Sequence, residues 1–248
     1  MTTFTALQSR VLQIVIDTPT AVTTQVPTLV NEAIRTLQDR HGFKVCEAVT
    51  SVMQTTEATR VLAAAPSDWQ KIRGAPQLID EQGRVWDLNW SDIREDVERR
   101  FGTTAGGTYT VGDLDGRPNT ILQSEPSTEL GGFNFEVFPL PDGLSLYTNG
   151  EYRIRIPYWK YLTTLSNAGD SNWLTVNCPN YIAYQAASDA FMLNWDEQRA
   201  AVWAMRAKLE LDKAILTDKK MRLAATGDTL RMSVNARGPR SAVGGDWK

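Results

Sequence analysis

Histidine, cysteine and long apolar runs are what this chain has least of, and each shortage removes a class of function. One histidine, His41, stands among 248 residues, so a catalytic or metal site that needs two imidazoles is out of reach. The two cysteines, Cys46 and Cys178, lie far apart in sequence. That gives neither a disulfide framework nor clustered zinc ligands, and it fits a reducing compartment. No apolar run approaches the ~20 residues of a membrane span. The N-terminal stretch lacks the basic and apolar regions of a signal peptide, so synthesis in a cytoplasm without membrane contact is expected. Cations are not in excess either: the formal net charge is −3, and no global field draws in nucleic acid.

Catalytic motifs are equally scarce. No Gly-x-Ser-x-Gly elbow is present. Gly102, Gly106 and Gly107 do not open a helix with phosphate-loop spacing, and no Gly-Lys-Ser/Thr follows them. Asp113-Leu114-Asp115-Gly116 begins like a calcium loop, but the later ligands are missing. Asp92, Glu95, Asp96 and Glu98 are spaced as a solvated helix face rather than as a glycosidase carboxylate pair. His41 sits at a helix end, where capping or surface exposure is the expected role. The expectation is a protein that is not an enzyme, with no catalytic residue, metal ligand or cofactor.

What is present is periodicity. Residues 5–16 carry apolar side chains near a 3.6 spacing and predict a short amphipathic helix, broken by an extended loop over DTPTAVTTQVP. A second helix starts at Val26, with Pro27 in its tolerant first turn and Gly42 as the left-handed stop. VCEAVTSVMQTT then reads as a strand, and TRVLAAAPSDW as another. A hairpin is expected around Glu81-Gln82-Gly83, and a capped helix after Ser91-Asp92. The stretch 102–132 is turn-rich. Phe133, Phe135 and Val137 alternate in one strand. Tyr152, Ile154 and Ile156 alternate against Arg153 and Arg155 in another. Pro179 opens an alanine-rich helix in which Ala183, Ala186, Ala187 and Ala190 admit a close neighbour. Asp196 caps a helix of ~30 residues, ~45 Å long. Its Ala201, Val202, Met205, Leu209, Leu216 and Leu223 are expected to pack on other helices. Periodicity is lost after Gly227.

These elements predict an α+β fold. N- and C-terminal helices form a helical domain over 1–44 and 178–227. A mainly antiparallel β-rich domain is inserted at 45–177, and an extended arm follows at 228–248. The aromatic stretch that joins the halves supplies Tyr158, Trp159, Tyr161, Trp173 and Tyr181. Only Lys160 lies among its rings as a cation, which favours a domain seam or subunit interface over a base- or sugar-stacking surface.

The order VNEAIRTLQDRHGFKV, FEVFPLPDG, IRIPYWKYLTTLS, DSNWLTVNCPNYIAYQAA, WDEQRAAVWAMRAKLELDKA resembles the head–tail adaptor, or connector, proteins of tailed bacteriophages. The resemblance spans roughly Val26 to Ala225 and rests on structural signatures. It implies a homo-oligomeric ring, usually of twelve subunits, beneath the portal protein. Such a ring extends the channel for genomic DNA without sequence-specific binding and carries tail nozzle or fibre-anchoring proteins. The implied location is the virion, reached from the host cytoplasm. It also implies a C-terminal arm that binds the portal, here with Arg231, Arg237, Arg240, Trp247 and Lys248. The competing readings are another tail-tube or nozzle ring component, which the long C-terminal helices oppose, and a carbohydrate-active or peptidoglycan-cleaving virion enzyme.

Overall fold

The computed structural model describes residues 2–16, 19–56, 59–79, 83–101, 115–124, 133–141 and 152–226. Its helices are α1 (Phe4–Ile14), α2 (Thr20–Thr23), α3 (Val26–Arg40), α4 (Arg94–Phe101), α5 (Trp173–Asn177), α6 (Pro179–Leu193) and α7 (Glu197–Thr226). Its strands are β1 (Glu47–Val49), β2 (Met53–Gln54), β3 (Val61–Ala64), β4 (Trp69–Ile72), β5 (Gln77–Ile79), β6 (Val85–Asp87) and β7 (Asn89–Ser91). They continue with β8 (Asp115–Gly116), β9 (Thr120–Ser124), β10 (Asn134–Phe138), β11 (Leu140–Pro141), β12 (Arg153–Arg155) and β13 (Pro157–Lys160). The class is α+β, as the periodicities predict.

Helices α1, α3, α6 and α7 share one core. Leu7 and Val11 of α1, Val30, Ala33 and Leu37 of α3, and Tyr181, Ile182, Ala186 and Ala190 of α6 are all fully buried in it. α6 is the centre, with α1, α3 and α7 packed around it. Its alanines explain how: side chains that end at Cβ let three helices approach at once. The loop and turn before α6 join this core, through Leu165 and Leu174.

The β part is a set of short sheets around a second core of Leu78, Ile121, Phe135, Val137, Ile154 and Ile156. Strand orders are β3-β10-β9-β7 and β2-β12-β5-β6, with β1-β13-β4 between this part and the helices and a β8–β11 pair apart. Pairing is antiparallel except for β7–β9 and β8–β11. The predicted alternation holds in β12 and its flanks: Tyr152, Ile154 and Ile156 are buried while Arg153 is exposed. The predicted hairpin is β5–β6, with Gly83 at φ 75° in its connection, a conformation that suits glycine.

Three local expectations are corrected. The stretch after α1 is not wholly extended: Thr20–Thr23 makes one helical turn, in which the Pro19 carbonyl accepts from Val22 and Thr23 and Val22 is buried. VCEAVTSVMQTT is not one strand. Lys44–Cys46 is a 3₁₀ turn, and β1 and β2 then enter different sheets. Nor does Gly42 close α3 in a left-handed conformation. His41 is extended (φ −147°) and its N–H returns to Leu37. The glycine is needed for space: a Cβ at Gly42 would lie 2.8 Å from the Trp159 indole.

Gly42→Ala therefore forces the Trp159 ring aside, a form of overpacking that costs ~1–3 kcal/mol. The unfolding free energy from urea titration should fall by that amount in the wild-type background and by much less in a Trp159→Leu background. Equal losses in both would remove the indole as the cause.

Candidate functional site

The residues that carry chemistry meet where α7 returns to the end of α3. Asp218, seven positions before the last described residue but one of α7, has a fully buried carboxylate. Its Oδ1 accepts from the Lys44 backbone N–H at 2.7 Å. Its Oδ2 accepts from Arg222 Nε at 2.7 Å and lies 3.1 Å from His41 Nε2. Arg222, one turn further on, donates Nη2 to the Gly42 carbonyl at 2.6 Å and Nη1 to Glu47. Glu47 in turn pairs with Arg73, just past β4. Arg222 also lies over Trp159, 5.4 Å from the ring centroid. One network thus ties α7 to α3, the 3₁₀ turn, β1 and the β13–β4 ladder.

The electrostatics follow from that wiring. Burial alone would raise the Asp218 carboxyl, but the Lys44 N–H, Arg222 and His41 bonds outweigh it and hold its pKa below the usual carboxylate range. Arg222 is raised against its own desolvation by Asp218 and Glu47. Nearby, burial pushes the Cys46 thiol up and the Cys178 thiol up to about 12. Both are buried as neutral thiols with little nucleophilic character. His41 is thus neither a plain cap nor a solvated side chain, but one of the donors on Asp218.

The aromatic stretch does not form one cluster, because alternation along β13 splits it. Tyr158 faces the β core. It stacks on Trp69 at 4.9 Å and 12°, and its hydroxyl donates to Asp68 at 3.0 Å. Trp159 faces the helices and rests on Gly42. Tyr161 bonds Asp39 at 2.8 Å under the Arg35 guanidinium. Trp173 is half-buried, 5.9 Å from Phe43, and opens α5 behind a reciprocal Asn172–Thr175 cap. Tyr181 is fully buried in α6, and burial pushes its hydroxyl up. The turn between them is held by Asp170, whose Oδ2 accepts from the Ser166 and Asn167 N–H groups. Asn31 of α3 exchanges two 3.0 Å bonds with the Leu165 backbone. Arg231, Arg237, Arg240, Trp247 and Lys248 lie outside the described residues.

Two features escaped sequence reasoning. One is the ring cluster around Trp69, which gathers Trp90, Phe133 and Phe135 within 6.0 Å. Its only sequence signal is the alternation of Phe133 and Phe135. The other is Asp218, which an i, i+4 spacing to Arg222 marks only as an ordinary helix pair.

A further correction concerns α7. Val202, Met205, Leu209 and Leu216, expected to pack on helices, are exposed. Ala200, Ala207 and Ala214 are buried instead, where α7 runs close enough to α6 for the Ser188 hydroxyl to reach the Ala200 carbonyl at 2.9 Å.

Among the described residues no group of three His, Cys, Asp or Glu side chains could hold a metal ion, and no helix is long and apolar enough to cross a membrane. The arrangement fixes one joint and leaves one long helix presented. A family model described as SU10 adaptor protein matches residues 2–236. No curated protein matches the chain.

Asp218→Asn leaves Arg222 and the Lys44 N–H without a carboxylate and costs ~3–5 kcal/mol at neutral pH. The folded carboxyl titrates below its unfolded value of about 3.9. Its contribution is therefore complete above that value and is lost as pH falls through the folded pKa. Thermal midpoints of the wild type should drop in acid below about pH 4, and those of the Asn variant should drop less. Parallel acid limbs would contradict this assignment.

Proposed function

The chain belongs to the SU10 adaptor protein family, the structural head–tail adaptors of phages, and from that premise we propose that it forms a ring beneath the portal. As such an adaptor it is a virion component that contacts other head and tail proteins. In the proposed assembly about twelve copies encircle the axis, prolong the channel through which genomic DNA leaves, and offer their far side to nozzle or fibre-anchoring proteins. The helical part, 1–44 and 178–227, and the inserted β-rich part, 45–177, are its two working bodies. The arm 228–248 reaches the portal through Arg231, Arg237, Arg240, Trp247 and Lys248. Of the seam residues, Tyr158, Trp159 and Tyr161 hold the two bodies at a fixed angle, while Trp173 and Tyr181 pack within the helical part.

The observation that carries this reading is the family match over 2–236. Two features support it. The polar and aromatic residues of the joint tie the helices to the β part. And α7 stands with a large part of its surface uncovered, as a subunit built for assembly would leave it.

Purified chain mixed with its portal protein should give stacked rings in negative-stain microscopy. A chain truncated after Gly227 should still fold, since the joint at Asp218 is intact, but should leave portal-bearing heads without adaptor. Normal attachment of the truncated chain would remove the arm from the proposal. Absence of rings on the portal with the full chain would remove the ring.

A further inference from the structure

Helix α7 carries three rows of residues at a strict seven-residue spacing. Ala200, Ala207 and Ala214 form the buried row. Val202, Leu209, Leu216 and Leu223 form a second, and Arg199, Arg206, Lys213 and Lys220 a third. Positions two apart lie ~200° apart on a helix, so the second row points away from the first. Its first three members are left in solvent and Leu223 is half-buried: Val202 is 53% exposed, Leu209 59% and Leu216 57%, with Met205 beside them at 71%. The third row, three residues back, lies ~60° around from the second and is exposed along its length. Consecutive members are ~10.5 Å apart, so the exposed double ridge runs ~20 Å. A ridge of this regularity is what a packing partner reads, since seven-residue repeats keep one seam in register.

We propose that this ridge is the contact with a neighbouring copy of the same chain, which rests on the ring reading above and names its interface. Charge selects the occupant. From Glu197 to Thr226 there are seven Lys or Arg against four Asp or Glu, a net of +3. The whole chain is −3, so the remainder carries −6. Pairing α7 with α7 about a twofold axis would set each cationic row against its own copy, which costs energy. The partner is therefore a different, acidic surface of the neighbour. A contact between unlike surfaces is also the kind that closes rings. Among the described residues the start of α4 fits: Asp92, Glu95 and Asp96 are exposed there beside Ile93, itself 48% exposed, while Arg94 between them turns to Glu136 at 2.7 Å. An apolar residue among carboxylates matches an apolar row flanked by cations. Duplex DNA would use the cationic row but would leave Val202, Leu209 and Leu216 in water, so it explains half of the ridge.

The test is charge reversal in the full chain, with assembly on the portal read by microscopy and light scattering. Circular dichroism melts check that each variant folds. Arg206→Glu with Lys213→Glu should cut ring formation at least tenfold, and so should Glu95→Lys with Asp96→Lys. The two pairs combined in one chain should restore it. Rings formed normally by the first pair overturn this contact while the ring reading stands. Loss without restoration in the combined chain overturns the pairing with α4. Wild-type chain that makes no ring on the portal overturns both. Salt-sensitive duplex DNA binding that the first pair abolishes, with rings intact, assigns the face to DNA and also overturns the proposal.

Discussion

A single buried carboxylate constrains how the two halves meet. Asp218 is removed from water, and that is tolerable only if both of its oxygens find donors. The donors come from three places: a backbone N–H at Lys44, the guanidinium of Arg222 and the ring of His41. None can move without stranding the charge. The position of α7 relative to the end of α3 is thereby fixed, across a sequence separation of 174 between Lys44 and Asp218. Arg222 extends the same constraint to the β side, because its other nitrogens hold Gly42 and Glu47, and Glu47 holds Arg73. The indole of Trp159 lies under this guanidinium and against the bare Cα of Gly42. Charge, ring and missing side chain are one joint, and changing any of them loads the other two.

That joint explains the pattern of what the sequence made legible. α3, α6 and α7 declare themselves through local rules: prolines at Pro27 and Pro179 where a first turn accepts them, a cap at Asp196, and apolar spacing near 3.6. β10 and β12 do so through alternation, and the β5–β6 hairpin through its turn. These signals depend on neighbours within a few residues, so one chain suffices to read them. Gly42 is different. As a helix stop it fits every local rule, yet its purpose is set by Trp159, which is more than a hundred residues away in sequence. The split of β1 from β2 is decided by which strands lie beside them, β13 in one case and β12 in the other. The Trp69 cluster and the donors on Asp218 are likewise pairings across sequence, with no local mark. The seam residues Tyr158 and Trp159 could be picked out as a group by their density, but not divided. Their opposite directions follow from a strand alternation that places one on each core.

The misread face of α7 shows how size misleads when small residues do the packing. Ranking by hydrophobicity puts Val202, Met205, Leu209 and Leu216 inward and alanines aside. α6 reverses that ranking. It is crowded by α1 and α3 on its other sides, and toward α7 it presents Ser188, whose hydroxyl donates to the Ala200 carbonyl at 2.9 Å, with Tyr184 beside Trp203. A hydrogen bond from a short side chain to the neighbouring backbone requires the two helices to lie close. Leucine in the facing row would push them apart and break it. The larger side chains are left for the outer face by exclusion.

An outer face filled in this way need not have been apolar. Any polar residue would satisfy the packing of a lone subunit, and helix propensity would favour Glu, Lys or Gln there. Leucine and valine at the seven-residue spacing, beside a row of cations at the same spacing, go beyond what folding of one chain requires. Exposed side chains of this kind lower solubility and invite association. Their place on the helix that Asp218 anchors at its C-terminal end makes the ridge a rigid feature with a fixed direction. A rigid ridge loses little conformational freedom when it is covered. The same buried carboxylate that holds the subunit together therefore also aims the surface by which, on the reading proposed above, one subunit finds the next.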